Sequence, residues 1–427
     1  MENKKVMDKV VGLAEKFQSN RIVRAISGGM TGVMAIMLIS SFATLIGAIN
    51  FWGIGTFFEN TGIKSILNQI VDMTNGIIAI YIAFVVAYKM GEIYESDALN
   101  CGIVGLMSFL ILTPLVEISE GSMGIGLSDV GSGGVFVAMI SSVVFGRLYI
   151  FLMDKKITIK MPDVVPPVVG NAFASIIPGA AAALGSGIVY EIMANTEYDS
   201  LSNFIYAILQ KPLTALGSNI IAAMFIVAVI EFFWFFGIHG VMVVMPILMA
   251  IFYGPQVANM EAYNAGKALP YLFTYGFILN NRGARSFAVA LHCIFNCKSE
   301  QLKAVGKAGL VPSLFGISEP IKFGIPQVMN IRMLLPLILT PAVSVFSAWL
   351  LTVIGFLPYH NGVTLPLGFP IIVNGFFMNG WQGIVAQLVQ VVLCYIIYIP
   401  FMRWEDKAHV AEEEENRRMM ESEAVTE

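Results

Sequence analysis

The 427 residues are 57% hydrophobic and only 13% charged, with a mean hydropathy of +0.76. A water-soluble globule carries about a quarter of its residues as charges, so the composition excludes an ordinary soluble protein and points to a surface that meets lipid. The net charge of −4 arises from clustered ends, and no basic patch interleaved with aromatics suggests nucleic acid.

In chain order, residues 1–26 read as an amphipathic helix lying on the cytoplasmic face of the membrane, with Val6, Val10, Leu13 and Phe17 set among Lys4, Lys5, Lys9 and Lys16. The segment lacks the continuous apolar core and small-residue cleavage site of a secretory leader. A membrane crossing needs about 20 mostly apolar residues. Such windows recur near 28–50, 65–89, 99–117, 131–153, 167–193, 218–237, 269–296, 331–356 and 383–402. Shorter apolar pieces lie near 240–254, 310–328 and 364–378. The fold class is therefore an all-α polytopic membrane protein with about ten transmembrane helices.

Charge gives an orientation. The amino end is basic, the loop 118–130 has no Lys or Arg, and the next connection carries Arg147, Lys155, Lys156 and Lys160. The carboxyl tail opens with Arg403 and Lys407. Positive residues mark cytoplasmic loops, so both termini are expected inside the cell, in a multi-pass cytoplasmic-membrane protein. The polar stretch 195–217 separates a membrane part at 27–194 from a second at 218–403, and the charged tail 404–427 reads as a solvated arm. The thiols of Cys293 and Cys297, with His292 beside them, read as buried apolar groups. No metal, disulfide framework or cofactor is indicated.

Charged groups and broken helices are expensive inside a membrane and point to function. Two places in the second part combine both. In EFFWFFGIHG, residues 231–240, a helix carrying Glu231 and Trp234 is interrupted by Gly237, His239 and Gly240, and the apolar 241–254 that follows is expected to dip in and return. In GISEPIKFGIP, residues 316–326, Gly316, Pro320, Gly324 and Pro326 break the helix around Glu319. Proline disfavours helical backbone in the residue before it, so Glu319 is expected extended, with Pro320 starting a new helix. In NGFFMNGWQG, residues 374–383, Asn374, Asn379 and Trp381 combine amides for hydroxyl groups with a flat face for a sugar ring. No G-x-x-x-x-G-K-[ST] loop is present, which leaves transport driven by an ion gradient or by a partner protein.

FWFFGIHG, GISEP-x-x-FG and the closing GW-x-G before an apolar last helix resemble the membrane subunit of phosphoenolpyruvate-dependent sugar phosphotransferase systems, of the lactose/cellobiose (diacetylchitobiose) type. The resemblance covers most of the chain and is densest over 230–403. It implies a homodimer whose first spans, 27–194, make the dimer contact, and a transport domain, 218–403, with two re-entrant hairpins that moves as an elevator. It also implies a separate cytoplasmic B subunit that passes a phosphoryl group from its cysteine to the sugar's 6-hydroxyl, and an A subunit behind it. Catalysis thus belongs to the membrane subunit only together with B. Carried onto this chain, Glu319 and His239 hold or polarise the acceptor hydroxyl. Trp234, Trp381, Asn281, Ser318, Asn374 and Asn379 contact the sugar, a β-linked disaccharide such as cellobiose.

The chain departs from that pattern. NNRGARS stands where a Gly/Ser-rich loop such as GGSGA is usual, adding Arg282 and Arg285. Lys322 follows Glu319 by three residues, a spacing that allows a pair on one helix face, and a serine replaces the commoner asparagine of GISEP. These cations suit an acidic substrate such as a uronic or phosphorylated sugar, a contact with the B subunit, or side chains that snorkel to the cytoplasm. Two other readings stay open on the residues alone: a proton-coupled sugar or sugar-acid transporter using Glu319 and His239 as its relay, and a membrane receptor that does not transport.

Overall fold

The computed structural model describes residues 16, 19–49, 54–119, 121–162, 166–205, 207–208, 219–325, 327–328, 330–365 and 368–426. The chain is an all-α polytopic membrane protein. Among the described residues, seven helical segments are long and apolar enough to span a bilayer: Arg21–Gly47, Ile63–Ile93, Ser132–Asp154, Val169–Ala194, Gly240–Asn264, Ile331–Val353 and Trp381–Glu421. Two further apolar helices, Ala98–Leu112 and Ile220–Phe235, are shorter. At about 1.5 Å per residue they fall short of a hydrocarbon core of about 30 Å. Among the described residues the sheet is a single antiparallel hairpin, Leu115–Ser119 with Ser122–Ile125, inside the loop that carries no basic residue. Most of the expected surface helix 1–26 lies outside the described residues. From Arg21 onward the chain is helical, capped by Asn20, whose Oδ1 accepts the amides of Ile22 and Val23. Much of the connector 195–217 also lies outside them.

Chain contacts define two compact units. The first comprises Met1–Gly217, Met245–Tyr271 and Gly362–Thr364. Its helices meet through small residues, which in lipid substitute for a hydrophobic driving force by letting backbones approach. A Cβ on Gly29 would stand 2.8 Å from the Val86 Cα, and one on Gly105 would stand 3.0 Å from the Ala83 carbonyl oxygen. The hydroxyl of Ser142 donates to that same carbonyl at 2.7 Å. Around these contacts Ala87, Met90, Cys101, Leu112, Tyr149 and Ile150 form a buried cluster. Further along this unit, the Glu261 carboxylate accepts the amide and hydroxyl of Ser132 at 3.1 and 2.8 Å.

The second unit comprises Ser218–Val244, Leu272–Asn361 and Leu365–Glu427, and here the helices are broken. The window 269–296 is interrupted at Asn281–Ala284, between Tyr275–Asn280 and Arg285–Asn296. Gly283, at φ +81°, makes that turn; a Cβ there would meet Cys394 Sγ at 3.0 Å and collide with Ser344. Short helices Glu319–Gly324 and Val373–Asn379 complete the interrupted set.

Three local expectations are corrected. The stretch 241–254 does not turn back: Gly240–Asn264 is one helix of 25 residues, with Pro246 and Pro255 inside it. Membrane helices tolerate such prolines because neighbouring groups take up the freed carbonyls. Glu319 is not extended but opens helix Glu319–Gly324, and Ser318 before it is already in the right-handed region. The amide of Lys322 bonding the Ser318 carbonyl at 2.9 Å outweighs the bias that Pro320 imposes. The tail is not a free arm, because helix Trp381–Thr426 runs on without a break. Its Asp406 accepts the amides of Lys298 and Ser299 at 2.8 and 2.9 Å, and Glu413 accepts the Ser299 hydroxyl at 2.6 Å. Both carboxylates sit at the amino end of helix Glu300–Leu314, where the helix dipole and unpaired amides favour negative charge.

Candidate functional site

Helix Ile220–Phe235 is apolar except for Glu231, which is completely buried. A buried carboxylate must be paired, and three cations from two other segments reach it. Arg285 Nη2 lies 2.5 Å from Oε1, Lys322 Nζ lies 2.9 Å from Oε2, and Arg282 Nη1 stands at 4.0 Å. The NNRGARS turn holds the arginines in place: Arg285 Nη1 donates to the Arg282 carbonyl at 2.9 Å, and Arg282 Nε donates to the Leu279 carbonyl at 3.1 Å. Lys322 therefore pairs with Glu231, 91 residues away in sequence, and not with Glu319. The spacing of three allows a pair on one face, but the desolvated partner is the stronger attraction.

The ammonium of Lys322 also lies over the ring of Trp234, 3.9 Å from its centroid, in cation–π geometry. The Trp234 ring packs at 4.7 Å against the ring of His239. His239 is exposed and Trp234 buried. The loop reaches this position because Gly237 takes φ +75° and because a Cβ at Gly240 would collide with the Ile230 carbonyl. Lys322 belongs to the helix that Glu319 begins, so the two motifs of the sequence, 231–240 and 316–326, meet at Trp234. Glu319 and Ser318 are partly exposed at the start of that helix.

A set of amides joins the broken helices. Asn281 Oδ1 accepts from Gln390 Nε2 at 2.9 Å, and Asn374 Oδ1 accepts from Gln387 Nε2 at 2.5 Å. Asn374 Nδ2 reaches Asn280 Oδ1 at 3.5 Å, and Gln387 Oε1 accepts the amide of Ile372. Ile372 sits at φ +74°, a region that costs a β-branched residue of order 1–3 kcal/mol, and the Gln387 contact holds it there. Asn379 Nδ2 donates to the Pro358 carbonyl at 2.8 Å. Trp381 is 58% exposed, edge-on to Phe356 at 5.6 Å.

The structure thus gathers Trp234, His239, Arg282, Arg285 and Lys322 in one place, and ties Asn281 and Asn374 into the amide set. Asn379 and Trp381 flank the break at Gly380, which takes φ +71° between two helices. Sequence reading assigned no role to Glu231, Asn280, Gln387 or Gln390. The signal for Glu231 was a lone carboxylate in an apolar helix. Among the described residues no group of three or more His, Cys, Asp and Glu could hold a metal. Cys293 and Cys297 are buried in an apolar cluster with Ile321, Ile325 and Met333.

A polytopic bundle with broken helices around buried charge and amides defines a membrane carrier of small polar solutes. The chain belongs to the phosphotransferase system EIIC family, whose pattern matches residues 27–341. It is 33% identical to the lichenan permease IIC component of Bacillus subtilis over 96% of this chain and 95% of that one. It is 32% identical to the cellobiose-specific EIIC component of Geobacillus stearothermophilus over 95% of each. Among solved structures it is similar to the transporter ChbC, the IIC component of the N,N'-diacetylchitobiose-specific phosphotransferase system. The TM-score is 0.88 at 30% identity, covering 95% of this chain and 98% of that one. The lactose-specific EIICB component of Staphylococcus aureus is 30% identical, and this chain covers 72% of it. The chain is therefore a multi-pass cell-membrane subunit of a phosphotransferase system, a family that works with B and A components.

Proposed function

We propose that the chain carries a β-linked disaccharide, of the cellobiose kind, across the cell membrane and presents a 6-hydroxyl for phosphorylation by a separate B subunit. The observation that supports it most is the meeting of the two motifs: Lys322, on the helix begun by Glu319, lies over Trp234, whose ring packs on His239. Relatives specific for lichenan, cellobiose and oligo-β-mannosides agree with the substrate class.

In this reading Glu319 and His239 act at the acceptor hydroxyl. Phosphoryl transfer asks chiefly for positioning and charge stabilisation. The sugar's 6-oxygen bonds to phosphorus as the P–S bond of the B subunit's phosphocysteine breaks, and the hydroxyl proton passes to Glu319, with His239 as neighbouring donor. Trp381 offers a face to a pyranose ring, Trp234 supports His239, and Ser318, Asn281, Asn374 and Asn379 supply or orient groups for sugar hydroxyls. The part 218–403 is the mobile transport domain of an elevator, 27–194 is the scaffold of a homodimer, and 195–217 connects them. Both termini lie in the cytoplasm, the amino-terminal residues 1–26 on the membrane surface and the tail 404–427 beyond the last span.

The test uses membrane vesicles bearing the full chain, phosphoenolpyruvate, the general phosphotransferase proteins, a candidate B subunit and labelled β-disaccharides. The expected result is sugar 6-phosphate that requires the B subunit and falls by about 10²–10⁴ in rate in Glu319→Gln. Accumulation of unmodified sugar without B would overturn the reading in favour of a gradient-driven carrier.

A further inference from the structure

Around Glu231 the charges do not balance. Three cations meet one carboxylate, and no second carboxylate lies within ion-pair distance of them among the described residues. A surplus of two positive charges in a membrane domain carries a large desolvation penalty unless something compensates it. The cluster is graded: the Glu231 side chain is fully buried, Lys322 is 3% exposed, Arg285 11% and Arg282 22%. The inner pair, Lys322 and Arg285, takes both carboxylate oxygens. Arg282, outermost, only approaches at 4.0 Å, and its hydrogen bond to protein is the one from Nε to Leu279. Among the described residues neither of its Nη groups makes a hydrogen bond, and Nη2 has no ion-pair partner. Arg285 Nε is buried with no hydrogen-bond partner among the described residues, a second donor without an acceptor. These donors stand in the cluster that includes Trp234 and, through it, His239.

We propose that this unbalanced cluster recognises an anionic group on the transported sugar, with Arg282 as the contact, so that the substrate is a β-linked disaccharide in which one ring is a uronic acid. The proposal rests on the β-disaccharide reading above and deepens it. A guanidinium presents paired donors that fit a carboxylate in a bidentate fork, and the surplus falls from two charges to one when the sugar arrives. The chemistry of the acceptor follows: C6 of a uronic ring is the carboxylate and has no hydroxyl, so the other ring supplies the 6-hydroxyl. Glu231 is the positioning residue, holding Arg285 and Lys322 so that the outer guanidinium faces outward.

The test is equilibrium binding to the purified full chain in detergent, without any B subunit, using cellobiouronic acid, its methyl ester, cellobiose and cellobiose 6-phosphate. The acid should bind about tenfold to a hundredfold tighter than its ester, the span of a charge-assisted hydrogen-bond pair. Arg282→Gln should lower the affinity for the acid to that of the ester, and Arg282→Lys should restore part of the difference, with gel-filtration profile and melting temperature checking the fold of each variant. Equal affinity for acid and ester, or preference for cellobiose, overturns the anion site and leaves the β-disaccharide reading standing. Tightest binding of the 6-phosphate overturns the uronic-acid assignment in favour of a sugar phosphate. Binding of none of the four overturns the disaccharide reading and this one with it.

Discussion

The two units stack apolar helices by opposite means. In the first, whole spans meet through glycine, alanine and serine, with Gly29 against Val86 and Gly105 against Ala83, and the polar contacts include a hydroxyl satisfied on a nearby carbonyl, Ser142 on Ala83. In the second, helices stop and restart, and the gaps are bridged by a carboxylate with three cations and by a set of amides. Close packing of small residues joins whole spans at short range. Broken helices expose backbone and carry charge, which is expensive in lipid and useful only where a polar solute is handled. The contrast teaches where to look for function, and each unit has its own weakest point.

The largest effect is expected at Glu231. Glu231→Gln leaves Arg285 and Lys322 without their counter-charge, and removing one partner of a buried pair costs about 3–5 kcal/mol. Thermal unfolding in detergent should show a clear loss, partly recovered in the double variant with Lys322→Met. An unchanged midpoint would mean that the cluster is balanced by something else, and the contrast between the units would lose its sharpest element. Next comes Gly105→Leu, which inserts a side chain where even a Cβ would crowd Ala83 and Ala87. Overpacking costs about 1–3 kcal/mol, read as a lower midpoint; if the midpoint holds, close backbone approach is not what stacks the first unit. The smallest effect is expected at the tail. Asp406→Asn keeps the acceptors of the Lys298 and Ser299 amides but removes the charge at the start of helix Glu300–Leu314, about 0.3–1 kcal/mol. Hydrogen exchange should speed up at 298–303 with little change elsewhere, and uniform exchange across the chain would refute the docking.

The family resemblance and the membrane class were legible in the sequence because both depend on short-range features. Runs of about 20 apolar residues mark spans wherever they occur, and FGIHG and GISEP are contiguous strings. The two places marked by charge and breakers are also the places the structure brings together at Trp234. Less legible was the course of the chain after a breaker. Gly237 does take a left-handed turn, yet the chain after Gly240 becomes one of the long helices, since membrane helices tolerate prolines within them. Gln387 and Gln390 carried no signal. Amides in an apolar helix are ordinary until a partner is known, and theirs come from Asn374 and Asn281 in other segments.

By itself the sequence determined that the chain lies in a membrane, how its hydrophobic spans are ordered, and where charge and broken helices coincide, because hydropathy and helix-breaking act over a few turns. Tertiary structure decided the partners. Lys322 lies one helical turn from Glu319 and ignores it for Glu231, and the charged tail that composition marks as solvated is docked through Asp406 and Glu413. The physical reason is the same in both cases. The strength of an ionic contact depends on how much water is left around the pair, and sequence spacing does not record which groups are desolvated together.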